Sequence, residues 1–124
     1  MGINNMGNAG FPKTRRLLCS AQFERVFAQP MKSGARGLTV LARLNDRPYP
    51  RLGLVISKRS ARAAVDRNRL KRLAREAFRH VQNHLGGVDF IILSRPGLTE
   101  RDNSTLTGLF SQYLLNAANQ CRSS

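Results

Sequence analysis

The chain has 124 residues, of which 41% are hydrophobic, which is enough for one domain with a small core. It carries 21 Lys and Arg against 7 Asp and Glu, a formal net charge of +14. Such a surface repels itself and favours an acidic partner, nucleic acid first and an anionic membrane second. No run of about 18 apolar residues and no secretory signal is present, so we expect a cytoplasmic protein without a transmembrane helix.

The N-terminal part is predicted to be a tail and then a short helix. We expect residues 1–10 to form a flexible tail and residues 11–120 to form a single domain. A basic, extended arm covers residues 12–16. Ser20 then caps a helix whose apolar stripe is formed by Phe23, Val26 and Phe27 at spacing i, i+3 and i+4, and Pro30 and Gly34 end it.

Three apolar runs predict strands at Leu38–Leu44, Leu52–Ser57 and Val88–Ser94, the last one central in the sheet. After a turn at Pro96-Gly97, apolar residues recur at helical spacing and predict a C-terminal amphipathic helix. These residues are Leu106, Leu109, Phe110, Tyr113, Leu114 and Ala117. We therefore predict an α/β fold (an α+β sandwich) in α-β-β-β-α-β-α-like order, with helices packed on a central sheet. The residue patterns locate only two of the three strands before the second helix.

The second helix is the most unusual element of the chain. Its period predicts a helix from Arg67 to about His84, ended by Gly86-Gly87. On a helical wheel its residues separate into two sides. The apolar side contains Leu70, Leu73, Ala74, Ala77, Phe78 and Val81, and the polar side contains Arg67, Asn68, Lys71, Arg72, Arg75 and Arg79.

The polar side has two interpretations, a solvated helix face or a surface that binds phosphates. Three successive like-charge pairs at spacing i, i+4 link Arg67 to Arg79, and each destabilises a helix by about 0.2–0.5 kcal/mol. Glu76 can relieve Arg72, and Lys58, Arg59 and Arg62 extend the charge upstream. Because bound phosphates would remove the repulsion, we favour nucleic-acid binding.

The run SKR at residues 57–59, followed after seven residues by RNRLKRLAREAF, resembles the signature of the bacterial ribonuclease P protein component. The segments FPKTRRLLCSAQFERVF, RLGLVISK and VDFIILSR are also similar to that family, so the resemblance covers most of the chain. It implies a non-catalytic subunit of a ribonucleoprotein endonuclease that removes the 5′ leader of precursor tRNA. It also implies that the RNA subunit carries the hydrolysis with Mg²⁺, and that the β-α-β crossover around the basic helix is left-handed.

The resemblance makes residues 11–120 an RNA-binding domain, and the residues themselves indicate no catalytic group and no metal ligand, which fits a subunit that binds while the RNA performs the chemistry. The implied RNA-binding motif consists of Arg67, Asn68, Arg69, Lys71, Arg72 and Arg75, with Lys58 and Arg59 at its edge. The charge pattern adds Arg62 and Arg79 to the predicted RNA-binding residues. The implied leader cleft lies between the first helix and the sheet, with Phe23, Phe27, Lys13 and Arg16. Core packing is the alternative role of the two phenylalanines, and the sequence favours it, although one ring can serve both roles with an edge in the core and a face towards a nucleotide. Some family members carry an aromatic residue on the first strand that faces the cleft. The corresponding strand here, LTVLARL, has no aromatic residue, and Leu41 is nearest to that position.

Other kinds of site find little support. His80 and His84 have metal-ligand spacing but no third ligand, and we expect Cys19 and Cys121 to be reduced thiols. The expected partners are the catalytic RNA and precursor tRNA, with no membrane and no protein partner. Two alternative functions remain. The first is a structural RNA-binding protein such as a ribosomal protein, which would not favour tRNA bearing a 5′ leader. The second is a helix that binds a membrane surface.

Overall fold

A computed structural model of the chain describes residues 16–17, 20–28, 31–35 and 37–123. Within them, helices and strands follow one another in the order α-β-β-β-α-β-α. The helices are α1 (Ser20–Ala28), α2 (Ala64–Val81) and α3 (Asn103–Ser123), and the strands are β1 (Met31–Ala35), β2 (Leu38–Leu44), β3 (Arg51–Val55) and β4 (Val88–Ser94). Short 3₁₀ turns at Gln82–His84 and Leu98–Glu100 follow α2 and β4.

The four strands form one mixed sheet with the order β1-β2-β4-β3. β2 pairs antiparallel with both β1 and β4, whereas β3 and β4 are parallel and are connected through α2. This confirms the predicted α+β fold with a β-α-β unit around the basic helix. The left-handed sense of the crossover stays a prediction.

The predicted strands at Leu38–Leu44 and Val88–Ser94 are confirmed over their full lengths. The second predicted strand is shifted, because β3 begins at Arg51 and ends at Val55, ahead of a turn at residues 57–60. The third strand before α2 in the predicted order is β1, which the residue patterns do not locate, because Pro30 and Gly34 indicate only the end of a helix there. Its sequence MKSGA has few β-formers, and the strand is defined by backbone pairing with β2 rather than by side-chain preference.

The helices cover the two faces of the sheet unequally. α2 and α3 pack on one face, where Leu38 and Val40 of β2 and Phe90 and Ile92 of β4 join the larger core cluster. α1 packs on the other face, where Val26 contacts a smaller cluster with Leu41 and Ile91. This follows from the alternation of side chains along a strand. None of the helices in the described ranges is long and apolar enough to cross a lipid bilayer.

A buried ion pair joins the two parallel strands. Arg51 and Asp89 are register partners, and the Arg51 Nε and Nη2 atoms donate to the two carboxylate oxygens of Asp89 at 2.8 and 2.7 Å. Their side chains are only 8% and 2% exposed. Asn45 Nδ2 donates a further hydrogen bond to Asp89 at 2.8 Å, which ties the β2–β3 loop to the same carboxylate. A slip of one residue between β3 and β4 would leave this charge buried and uncompensated.

We predict that Asp89→Ala lowers the free energy of unfolding by about 3–5 kcal/mol, because it leaves the Arg51 guanidinium buried without its counterion. The double variant Asp89→Leu with Arg51→Met should be more stable than the single variant, since both charges are then absent. Urea unfolding followed by circular dichroism measures both effects. Losses below about 1 kcal/mol in Asp89→Ala would contradict this role of the pair.

Candidate RNA-binding surface

Helix α2 places its two sides as the wheel predicts. Leu70, Leu73, Ala74, Ala77 and Phe78 are buried, and Val81 packs against the same cluster. On the other side Asn68, Arg72 and Arg79 are exposed, and Arg67, Lys71 and Arg75 are half-buried. Arg69, at the boundary between the two sides, is also half-buried. The crest of α2, meaning Asn68, Lys71, Arg72, Arg75 and Arg79, is therefore a cationic ridge held on an apolar base.

The crest has little internal charge compensation. No hydrogen bond or ion pair to another described residue engages Lys71, Arg72 or Arg79. Glu76, which the sequence suggested as a partner for Arg72, forms no ion pair with it. The repulsion along the crest is thus relieved by solvent and counterions, and a polyanion would replace those counterions.

A depression of about 180 Å³ lies on one side of α2, where the helix meets the edge of the sheet. It is lined by Arg16, Leu17, Phe23, Leu52, Gly53, Leu54, Lys71 and Arg75. The segment 16–17 runs parallel to β3, and the Leu17 amide donates to the Leu52 carbonyl at 3.1 Å. This segment, α1, β3 and α2 therefore all contribute to one cleft.

Gly53 determines how α1 lies over this cleft. A Cβ atom at Gly53 would lie 2.7 Å from two ring atoms of Phe23, so the ring packs directly on the β3 backbone. Phe23 is half-buried against the smaller core cluster, and one of its edges lines the cleft. Phe23 therefore packs on the core and lines the cleft at the same time, and its contact with the leader stays a prediction.

Two cations meet at the cleft. Burial lowers the pKa of Arg75 from its ordinary value, and the neighbouring positive charge of Arg16 lowers it further. An arginine remains charged near neutral pH even so. Holding two like charges at a partly buried site is unfavourable, which makes the cleft a place where an anion would be stabilised.

The part of the sheet face beside α1 is open. Phe27 of α1 is 46% exposed and Val55 of β3 is 38% exposed. Core packing, the role that the sequence favoured for Phe27, is therefore wrong for this residue. Leu41, by contrast, is 3% exposed, so the strand position without an aromatic lies under α1. Lys13, the remaining residue predicted for the cleft, lies outside the described residues.

The turn after β3 presents the upstream cations. The Ser60 hydroxyl donates to the Ser57 carbonyl at 3.1 Å and lies 2.5 Å from the Ser94 hydroxyl at the end of β4. The Ser60 amide also donates to the Ser57 hydroxyl at 3.2 Å. These bonds fix the turn to the sheet, while Lys58, Arg59 and Arg62 remain exposed.

Two members of the predicted RNA-binding set are directed at the chain itself. Arg67 Nη1 donates to the Ala61 carbonyl at 3.0 Å and to the Arg62 carbonyl at 2.8 Å. Arg69 donates to Asn103 Oδ1 at 2.6 Å, to the Arg101 carbonyl at 2.5 Å and to the Thr99 carbonyl at 3.3 Å. A helical wheel contains no information about carbonyl groups that other segments bring to the helix.

The structure also adds cations that the sequence analysis did not select. Arg95 directly follows β4 and is exposed, and Arg101 is half-buried before α3. Both belong to the loop at the carboxyl end of β4, beside the loop that carries Lys58 and Arg59. Their position after a predicted strand could have indicated them, because proteins with parallel strands often bind ligands just outside the carboxyl ends of those strands.

The described residues contain no group of three or more His, Cys, Asp or Glu that could hold a metal ion. His80 and His84 are both exposed. Cys121 is buried in the larger core cluster, and this burial raises the pKa of its thiol, while Cys19 lies outside the described residues. The chemistry that the described surface supports is therefore binding of anions by arginine and lysine, beside an open aromatic and apolar cleft.

Comparison with known proteins agrees with this chemistry. The family model for ribonuclease P matches residues 11–118. The ribonuclease P protein component of Chromohalobacter salexigens is 50% identical over 102 residues, covering 82% of this chain and 80% of that protein. That of Edwardsiella ictaluri is 40% identical over 119 residues, covering 96% of this chain and 100% of that protein.

The fold has the same relatives. The RNase P protein of Staphylococcus aureus superposes with a TM-score of 0.78 at 26% identity, covering 85% of this chain and 96% of that chain. The RNase P protein from Thermotoga maritima superposes with a TM-score of 0.73 at 29% identity, covering 82% of this chain and 96% of that chain. With a family match over most of its length and close relatives of the same name, this chain belongs to the bacterial ribonuclease P protein component family.

Proposed function

We propose that this chain is the RNA-binding, non-catalytic subunit of ribonuclease P and assists removal of the 5′ leader from precursor tRNA. The observation that carries the proposal is the position of the cationic crest of α2 directly beside an open cleft. The crest would hold the catalytic RNA and the cleft would hold the leader. Lys71 and Arg75 belong to both, so the two RNA segments would lie next to each other.

Binding of the catalytic RNA follows from electrostatics. The crest cations lie on one regular helix, and Lys71, Arg72 and Arg79 have no ion pair among the described residues. Phosphates placed along this helix would remove the like-charge repulsion and release condensed counterions. The planar guanidinium of arginine can in addition bridge two phosphate oxygens. Affinity should therefore be high and should fall steeply with salt.

Binding of the leader follows from the shape and lining of the cleft. Phe23 lines the cleft, and Phe27, about one helical turn further along α1, is exposed, so both rings present surface on which unpaired bases could stack. Stacking of a base on an aromatic side chain is worth about 1–3 kcal/mol and tolerates different bases. Arg16 and Arg75 supply positive charge for the backbone of the same strand. These features suit a single strand better than a duplex.

Hydrolysis itself is assigned to the RNA. The described residues do not bring together the ligands for a metal ion, and the charged groups beside the cleft are cations rather than carboxylates. Mg²⁺ would accordingly be held by the RNA and supply its chemistry there. The part of this chain is to bind the two RNA segments, to orient them and to reduce the repulsion between their phosphates.

We predict that the protein accelerates cleavage of precursor tRNA by a bacterial ribonuclease P RNA at low Mg²⁺, because its cations replace part of the ionic screening that the RNA needs. Single-turnover cleavage with and without the protein measures this. The protein should also increase the affinity of the RNA for precursor tRNA more than for mature tRNA. Equal effects on both tRNAs would favour a general RNA-binding protein, and no acceleration at any protein concentration would contradict the proposal.

We predict that the double variant Lys71→Ala with Arg72→Ala binds the catalytic RNA with a weaker salt dependence. The negative slope of log K against log salt should become shallower by roughly 1 to 2. The matched control is Lys32→Ala with Arg47→Ala, which removes the same charge at two exposed positions outside the crest. The control should leave the slope close to that of the unaltered protein. Equal slopes for the two double variants would show that binding depends on net charge and not on the crest.

A further inference from the structure

The two arginines on either side of Asn68 hold two different loops. Arg67 donates both of its hydrogen bonds to the loop after β3, at the carbonyls of Ala61 and Arg62. Arg69 donates to the loop after β4, at the carbonyls of Thr99 and Arg101, and to the first residue of α3. Asn68 lies between them and is exposed. The start of α2 is therefore hydrogen-bonded to both loops at the carboxyl ends of the parallel strands.

The two loops are also joined to each other. The hydroxyl groups of Ser60, in the first loop, and Ser94, at the end of β4, lie 2.5 Å apart. The second loop is anchored by the Arg95 amide, which donates to the Gly37 carbonyl at 2.9 Å, and by Leu98, which is fully buried. These contacts fix the backbone of residues 95–102 while leaving the Arg95 side chain exposed.

The charge of this end of the molecule is strongly positive. Residues 56–63 and 95–102 contain five cations, Lys58, Arg59, Arg62, Arg95 and Arg101, against the acids Glu100 and Asp102. Asp102 is engaged locally, because its carboxylate accepts the Thr105 amide at 2.7 Å at the start of α3. The loop cations continue the crest of α2 beyond its N-terminus. A polyanion bound along the crest would meet them next.

We propose that the two loops extend the surface for the catalytic RNA, with Arg95 contacting phosphate, and that Arg67 and Arg69 act as positioning residues that hold the loops. The inference rests on the proposed RNA-binding function and refines it. It assigns the two arginines to the protein framework, and it places the RNA contact on the exposed loop cations and on the crest. The partner is the sugar-phosphate backbone of the RNA subunit rather than the tRNA leader, since the cleft opens beside α1.

The test is binding of a bacterial ribonuclease P RNA, without tRNA, to Arg95→Ala at several salt concentrations. We expect the affinity for the RNA to weaken roughly fivefold and the negative slope of log K against log salt to become shallower by roughly 1. The matched control is Arg47→Ala, an exposed arginine in the β2–β3 loop at the opposite end of the sheet. Arg95 is exposed, so its removal should leave the melting temperature unchanged.

A double-mutant cycle tests the positioning role of Arg69. Arg69→Gln should weaken RNA binding in the unaltered protein and weaken it less in the Arg95→Ala background, because the loop that it positions has then lost its contact. Arg72→Ala, on the crest, should reduce the affinity for RNA by the same factor in the unaltered protein and in the Arg95→Ala background. All measurements are made well below the melting temperature of each variant.

The outcomes separate the two proposals. If the unaltered protein does not bind the RNA, the proposed function fails. If it binds and Arg95→Ala matches Arg47→Ala in affinity and slope, the loop surface is wrong while the proposed function stands. If Arg69→Gln costs the same factor in both backgrounds, Arg69 does not act through the loop after β4.

Discussion

The position of the basic helix and of the two loops beside its N-terminus depends on the parallel pairing of β3 with β4. Parallel strands need a crossover connection, and here α2 is that connection, so the strand pair determines where the basic helix lies. The buried ion pair of Arg51 and Asp89 fixes the register of the pair. A buried ion pair contributes little stability over apolar groups of the same size, but it strongly disfavours other arrangements. Its physical role is to specify one alignment of strand, helix and loops.

With that alignment fixed, α2 separates two kinds of surface. Its apolar side is used by the core, and the crest remains as a ridge with the aromatic cleft on one side. The loops at the carboxyl ends of β3 and β4 continue the ridge. The same strand pair therefore brings the cationic ridge and the aromatic cleft side by side.

Much of this arrangement follows from local sequence pattern, and the remainder depends on contacts between distant segments. Periodicity predicted β2, β4 and the two sides of α2, because each pattern reflects burial of one face. β1 was not predictable in this way, since its backbone pairing rather than its side chains defines it. The pairing of Asp89 with a residue 38 positions away has only a weak signal, an acid in an otherwise apolar strand.

The site was predictable to a similar extent. Composition and the wheel indicated phosphate binding, and the family resemblance supplied the partner. The inward direction of Arg67 and Arg69 was hidden, because the carbonyls that accept their hydrogen bonds come from loops with no pattern of their own. Arg95 was missed for the related reason that its place beside the turn after β3 appears only when the two strands pair in parallel.

The central claim is that the crest contacts the catalytic RNA while the cleft contacts the leader. Site-directed photocrosslinking in the assembled complex with precursor tRNA tests it most directly, with a photoreactive side chain introduced in turn at Asn68 on the crest, Phe27 beside the cleft and Asn116 on the exposed side of α3. We expect crosslinks from Asn68 to the catalytic RNA, from Phe27 to the 5′ leader, and from Asn116 to neither. Crosslinks from Asn68 to the leader, or from Phe27 only to the catalytic RNA, would contradict it.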